Sequence, residues 1–399
     1  MIPVKLCGII YIAIASIQQL ASYAKISMII DLEDNTMKKL TVILSLLLIV
    51  GMLTGCAGTP VIYYTECNCP EGAHVAAPES APAEKPAAAV PAEGALKTGL
   101  ALIANVGDSK SATAEALGEG KYDVTMVAVL VDDQGVIQDC LIDGISDAVT
   151  FDNAGQINTD LSAPFQTKNE KGENYGMVAY GGAIAEWDAQ AAALAQYAVG
   201  KTVDELKNGA IDETGYAPEG SDLASSATIY LGGYVSAIEK AAANAKHLGA
   251  QAGDVLKMAA TTAIDSSKNA AADAVGVAQL DVNLAALTVK GDVITSCALD
   301  AVQAKVKFDV AGQLTEDVSA PVLTKNELGE NYGMVAYGGA IAEWDAQAAA
   351  FASYVTGKTV SEVAGIAVDE TTKPTDADLV SSVTIKIGGF QELIAKACR

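Results

Sequence analysis

The chain has 399 residues, 49 acidic against 25 basic, for a formal charge of −24, and Arg399 is its one arginine. Such a chain repels nucleic acid and lacks the forked guanidinium donors that phosphate recognition favours, so nucleic-acid binding is excluded as a reading. The two histidines, His74 and His247, do not recur in equivalent places, which argues against a repeated zinc site or a histidine-based triad.

Residues 1–36 carry an apolar run, Leu6–Ile17, shorter than the roughly 20 residues that cross a bilayer. They precede a complete export signal, and the true start is read at Met37. From there Lys38 and Lys39 lead into an apolar run, Leu40 to Met52, and then Leu53-Thr54-Gly55-Cys56. A basic start, a short apolar centre and small residues before a cysteine describe a signal peptide over 37–55. Its ending resembles the bacterial lipobox, which implies a lipidated Cys56, an anchor in the membrane and a location in the cell envelope outside the cytoplasm. Residues 56–97 follow as a Pro- and Ala-rich tether. The part from 70 to 97 holds most of its prolines and almost no large apolar side chain, and such a segment buries too little surface to offset its ordering entropy and is expected to be extended. Cys67 and Cys69 lie just before that part, as free thiols or as partners of another chain.

The rest is duplicated. Residues 173–193, ENYGMVAYGGAIAEWDAQAAA, recur letter for letter at 330–350, and a match that long has one economical cause, duplication of a folding unit. The two repeats run over 98–246 and 253–399. Each opens with an apolar strand, LALIANVG in the first, followed by Asp108-Ser109 or Asp265-Ser266, residues suited to starting a helix. VTMVAVLV at 124–131 and VIQDCLIDG at 136–144 flank Asp132-Asp133-Gln134-Gly135 and read as a hairpin. Phe151 to Ile157, echoed by Phe308 to Leu314, reads as a smaller turn.

The identical stretch holds the clearest helix. Ile184, Trp187, Ala191, Leu194 and Ala198 share one helical face, as do Ile341, Trp344, Ala348, Phe351 and Val355. Gly200-Lys201 and Gly357-Lys358 are stop signals, and Thr202 to Glu205 and Thr359 to Glu362 fit capping boxes. Ala227, Ile229 and Leu231 then alternate with Ser226, Thr228 and Tyr230, as Val383, Ile385 and Ile387 do with Ser382, Thr384 and Lys386. That period of two predicts a half-buried strand before a last helix around Ile238 or Ile394. Helices on one face of a mostly antiparallel sheet make each unit α+β.

The closing motif carries a resemblance. A Gly-turn hairpin, an acidic segment and a late Asp-x-x-Ser-x-Ala-Thr resemble the extracytoplasmic FMN-binding domain, a family that includes flavin-carrying subunits of sodium-pumping quinone reductases and small lipoproteins of the treponemal major membrane immunogen type. Asp222, Ser225, Ala227 and Thr228 match, as do Asp378, Ser381 and Thr384. Ser226 and Ser382 stand where the family has Gly, and Val383 where it has Ala. The resemblance implies FMN as cofactor, carried in flavinylated members as a phosphoester on the final Thr by a flavinyl transferase, and an envelope redox partner. Tyr175 and Tyr332 are the tyrosines expected to line a site for a planar ligand, beside Tyr180 and Tyr337 and near Gly181-Gly182 and Gly338-Gly339.

Other groups carry two readings each. Glu170, Glu173, Glu186 and Asp188, with Glu327, Glu330, Glu343 and Asp345, suit an acid/base pair or a calcium site, or simply the favourable charge of a helix start. Cys140 and Cys297 are equivalent, as buried thiols or as a disulfide between repeats; Cys398 has no partner assigned. The residues are read as a non-catalytic envelope lipoprotein that binds a small ligand or passes electrons, with a ligand-free structural antigen or spacer as the alternative. Cys56→Ser should move the protein from the membrane fraction to the soluble one and abolish labelling by radioactive palmitate; membrane retention of the variant would overturn the anchor.

Overall fold

The computed structural model describes residues 94–399, all within one compact unit, Pro86–Arg399. The signal peptide, Cys56, Cys67, Cys69 and nearly all of the tether lie outside the described residues. Among the described residues no helix is long and apolar enough to cross a membrane.

The first repeat runs β1 (Lys97–Asn105), β2 (Gly118–Val131), β3 (Ile137–Phe151), α1 (Lys168–Lys171), a 3-10 turn (Gly172–Tyr175), α2 (Met177–Gly181), α3 (Trp187–Ala198), α4 (Val203–Ala210), a 3-10 turn (Leu223–Ser225) and α5 (Gly232–Ala243). The second runs β4 (Val255–Ala263), β5 (Gly276–Lys290), β6 (Val293–Phe308), α6 (Lys325–Leu328), a 3-10 turn (Gly329–Tyr332), α7 (Met334–Gly338), α8 (Trp344–Val355), α9 (Val360–Ala364), α10 (Ala377–Val380) and α11 (Gly388–Ala397). Each repeat is an antiparallel meander, β1-β2-β3 or β4-β5-β6, with its own helices, so the fold is α+β in duplicate. The hairpin read at Asp132–Gly135 is present, with a register irregularity at Leu130/Val131.

Why the central strands read as unbroken apolar runs is visible in the packing. On β2, Tyr122, Val124, Met126, Ala128 and Leu130 enter a core shared with β4, β5 and β6, while Val127, Val129 and Val131 face the helices of their own repeat. On β5, Leu280, Val282, Leu284 and Ala286 enter the shared core, and Ala285, Leu287 and Val289 face the second repeat's helices. A strand buried on both faces needs apolar residues at every position, not every other one. Four layers result: helices, sheet, sheet, helices. At the shared core Phe151 and Phe308 stack with centroids 3.9 Å apart and planes 2° from parallel.

The small turn at Phe151–Ile157 is the clasp between the repeats. The Gly155 carbonyl accepts from Ala270 N–H and the Gly312 carbonyl from Ala112 N–H, both at 2.8 Å. Gln313 Nε2 donates to the Ala112 carbonyl at 2.9 Å, and Leu314 N–H donates to Ser111 Oγ at 3.0 Å. Two further contacts cross symmetrically: Lys240 pairs with Glu327, and Lys396 with Glu170. The link after α5 also pairs with β1, Thr98 N–H donating to Lys246 O at 2.9 Å and Leu96 N–H to Ala250 O at 2.9 Å.

Three expectations fail. Asp108-Ser109 and Asp265-Ser266 start no helix. Ser109 Oγ accepts from Lys121 N–H at 3.0 Å and Ser267 Oγ from Gln279 N–H at 2.9 Å, so the hydroxyls tie a loop to the next strand. Ile184 and Ile341 are exposed, because the helix begins at Trp187 or Trp344; the other stripe residues are buried as expected. The closing strand is absent. Ala227 and Leu231 are buried, but Thr228 and Ile229 N–H both donate to Gln190 Oε1, at 2.8 and 3.2 Å, and Leu231 N–H to Gly215 O. Alternation arises here from a loop laid over a buried amide, with no neighbouring strand edge to pair.

Gly312, at φ 68°, leaves no room for a side chain: an added Cβ would lie 2.5 Å from Asp152 O and 2.6 Å from Ala112 Cβ. Gly291, at φ 66°, has nothing within 4 Å. In urea denaturation Gly291→Ala should cost about 1 kcal/mol, the left-handed penalty alone. Gly312→Ala should cost about 3 kcal/mol, because the clasp must also open. Equal losses would mean the clasp contributes nothing.

Candidate functional site: an aromatic cleft in the first repeat

The identical stretch and the segment before it build a cleft of about 620 Å³ on the outer side of the first sheet, with Tyr175, Met177, Trp187, Tyr234, Lys168 and Asp123 among its lining. Its construction starts at Thr167-Lys168-Asn169-Glu170. Thr167 and Glu170 close a capping box: Glu170 N–H donates to Thr167 Oγ1 at 3.2 Å, and Thr167 N–H to Glu170 Oε2 at 2.8 Å. Asn169 fastens this turn to β3, its N–H donating to Asp143 Oδ1 at 3.1 Å and its Nδ2 to Ile142 O at 3.0 Å. Lys168 stands between these ties. Its stem passes over Gly144, whose added Cβ would stand 3.5 Å from Lys168 Cδ.

The lysine Nζ ends 4.8 Å from the Trp187 ring centroid and 5.3 Å from that of Tyr175, inside cation–π range. Trp187 is buried and crosses the Tyr234 ring at 62°, its indole Nε1 donating to the Tyr234 hydroxyl at 3.0 Å. At the polar end Lys121 Nζ donates to Ser146 Oγ at 2.9 Å, and Ser146 Oγ donates to Asp123 Oδ1 at 2.7 Å. Burial holds Lys168 below the usual lysine value, and burial followed by the Asp123 charge raises the Tyr175 phenol. The arrangement offers aromatic faces, one ordered cation and a carboxylate to a planar ligand.

The second repeat repeats the frame with changes. Lys325 Nζ stands 5.0 Å from the centroids of both Tyr332 and Trp344. Phe390 replaces Tyr234 against the indole, crossing Trp344 at 72°. Tyr332 OH donates to Gln303 Oε1 at 3.1 Å, and Gln303 and Gln279 both donate to Asp281.

No family model, curated protein or solved structure matches the chain.

Of the residues expected at a site, Tyr175 lines the cleft and Tyr332 holds the equivalent place. Thr228 does not line it, but Ile229 and Tyr230 beside it do. Thr228 sits on an exposed loop, its Oγ1 donating to Gln190 Oε1 at 3.3 Å, and the half-buried Thr384 makes the same bond to Gln347 at 3.1 Å. Ser225 Oγ donates to Asp222 O at 2.7 Å and Ser381 Oγ to Asp378 O at 2.9 Å, local turn contacts away from the cleft lining. Tyr180 and Tyr337 are 92% and 93% exposed.

The carboxylates scatter into separate tasks. Glu170 caps α1, Glu186 accepts Met177 and Val178 N–H at 2.8 and 3.0 Å, and Asp188 accepts Ala189 N–H at 2.9 Å. Among the described residues no cluster of three or more His, Cys, Asp or Glu is arranged for a metal. The disulfide between Cys140 and Cys297 is overturned. Both are free and buried, in different cores on opposite outer sides of the sheet pair, and burial pushes each thiol up to about 12.

Lys168, Asp123, Gln190 and Tyr234 escaped the sequence reading. Thr-Lys-Asn-Glu, present at 167–170 and 324–327, is a capping box of the kind recognised at Thr202, and would have flagged the lysine. A crevice of about 730 Å³ also spans the seam between repeats. Its polar groups are largely bonded to one another, Lys240 to Glu327, Asn244 to Leu100 O and Asn326 to Leu299 O, which leaves the aromatic cleft as the better site.

The ties beneath the second lysine are sensitive to pH. Asp300, which accepts Ala301 and Asn326 N–H, is raised to about 6 by burial. A carboxyl above its unfolded value of about 3.9 favours the fold when protonated, so its contribution is full below that value and lost as pH rises through about 6. Asp300→Asn should therefore gain on the parent in urea midpoint as pH goes from 4 to 7. A difference that stays flat would contradict the assignment.

Proposed function

We propose that this is a lipid-anchored envelope protein, outside the cytoplasm, whose first-repeat cleft binds a small planar ligand of flavin type without catalysing a reaction on it. The observation that carries the reading is Lys168 held unpaired over Trp187 and Tyr175 in an open cleft. Lys168 and Lys325 form no ion pair among the described residues, as is true of most lysines here, and are set apart by facing both a tyrosine and a tryptophan ring. In a chain with nearly two acids per base, a half-buried cation without a carboxylate is suited to an anionic ligand group.

FMN fits these residues: aromatic faces for the ring system and Lys168 for negative charge. A bound flavin would supply one- or two-electron redox chemistry, with an envelope redox partner as donor or acceptor. For a covalent form, the exposed loop position of Thr228 agrees with modification by a flavinyl transferase, its neighbours Ile229 and Tyr230 reaching the cleft. Thr384 is the equivalent in the second repeat.

A second reading, surface presentation to a partner, is favoured by one observation. Val178 to Gly182, with Ile184, form an exposed uncharged turn that recurs unchanged at 335–341. The shared core argues against a spacer, since the repeats stack rather than add length.

Flavin fluorescence should be quenched on titrating FMN with the parent protein, and Lys168→Ala or Trp187→Ala should weaken binding about tenfold. No quenching at millimolar FMN would sink the non-covalent form. With a flavinyl transferase coexpressed, denatured parent protein should fluoresce and the Thr228→Ala, Thr384→Ala double variant should not; a dark parent would sink the covalent form.

A further inference from the structure

Lys168 is an amine in an unusual setting for a protein so rich in carboxylates. Its Nζ lines the cleft and faces two aromatic rings. Its stem is fixed between Gly144 and the Thr167–Glu170 turn. Asn169 locks that turn to β3 through two bonds, so the backbone that carries the amine is fixed beside the two rings. A lysine desolvated in an apolar pocket is the usual form of an amine nucleophile.

We propose that Lys168 is a carbonyl-reactive amine, and that the ligands of this cleft include planar aromatic aldehydes and ketones captured as an imine. This rests on the reading of the cleft as a ligand site and goes beyond it. In the step, the neutral amine nitrogen attacks the carbonyl carbon and forms a C–N bond. The nitrogen gives up its two protons, the carbonyl oxygen takes up two and leaves as water, and a C=N bond remains with no net oxidation or reduction. The ring of the ligand would lie against Trp187 and Tyr175, the faces that already border the nitrogen.

Burial of the amine supports the chemistry. It lowers the proton affinity more than the Asp123 charge raises it, with Lys121 and Lys171 lowering it and Asp143 raising it by less; the net direction is downward. More of the free amine is therefore present at neutral pH than on an exposed lysine. Lys325 shares the ring contacts, with Ala301 where Gly144 stands and Phe390 where Tyr234 stands.

The test uses pyridoxal 5′-phosphate as probe on the detergent-solubilised full-length protein at neutral pH, followed by borohydride reduction and peptide mapping by mass spectrometry. The expected result is a reduced adduct on Lys168 at severalfold the level on the exposed Lys290, set by the aromatic faces that hold the ring beside the amine. Lys168→Arg, which keeps the cation, should lose that adduct while its urea midpoint stays with the parent's. Labelling of Lys168 no greater than that of Lys290 would overturn the proposal, and the parent alone supplies this comparison. The FMN titration separates the two readings. Quenching without a preferred adduct removes the amine chemistry and leaves the ligand site; a preferred adduct without quenching removes flavin and leaves the amine.

Discussion

Stacking of Phe151 on Phe308 marks the constraint on which the remaining structure depends: each sheet is apolar on both faces, and one of those faces can be covered only by the other repeat. Burial of apolar area is the dominant favourable term in folding. A repeat on its own would expose Tyr122, Val124, Met126 and Leu130 or their counterparts. The duplication is therefore a matched pair of half-structures closed by reciprocal clasps. Gly155 and Gly312 each reach across to a backbone N–H of the opposite repeat, where the approach is too close for any side chain.

That pairing reaches the candidate site through Glu170. The same carboxylate caps the turn that carries Lys168 and receives Lys396 from the last helix of the other repeat. Glu327 does both tasks in return, with Lys240. Interactions at Lys396 or Lys240 thus bear on the turns that aim Lys168 and Lys325. The lysines belong to the outer faces, yet their supports are anchored at the seam between repeats.

The duplicated stretch separates into parts with different reasons for being the same. Trp187, Gln190 and Ala191 are buried in both copies as Trp344, Gln347 and Ala348. Gln190 and Gln347 each serve a second loop through their amide oxygen. Packing accounts for these. Packing does not account for Val178, Tyr180 and Ile184, which are exposed, while the buried Leu194 just beyond the identical run has become Phe351. Core positions tolerate compensated changes of volume, whereas nothing in the packing constrains the unchanged exposed residues. Their turn adjoins Tyr175 and Met177 at the cleft.

Composition, order and local pattern were enough for much of this protein. The duplication, the antiparallel hairpin, the helix within the identical stretch, apart from its first turn, and the capping boxes at Thr202 and Thr359 are all encoded within a few residues of where they act. Periodicity and end signals are local physics, so they could be read directly. The α+β class followed from them. What only tertiary structure decided depends on residues far apart in the chain. Face-to-face sheet packing turned an unbroken apolar run into a strand buried twice over. A buried Gln190 replaced an expected strand at Ala227–Leu231 by accepting its N–H groups. The cleft needed Asp123 from β2, Lys168 from a turn, Trp187 from α3 and Tyr234 from α5, and no spacing rule joins four such elements before the sheet brings them together.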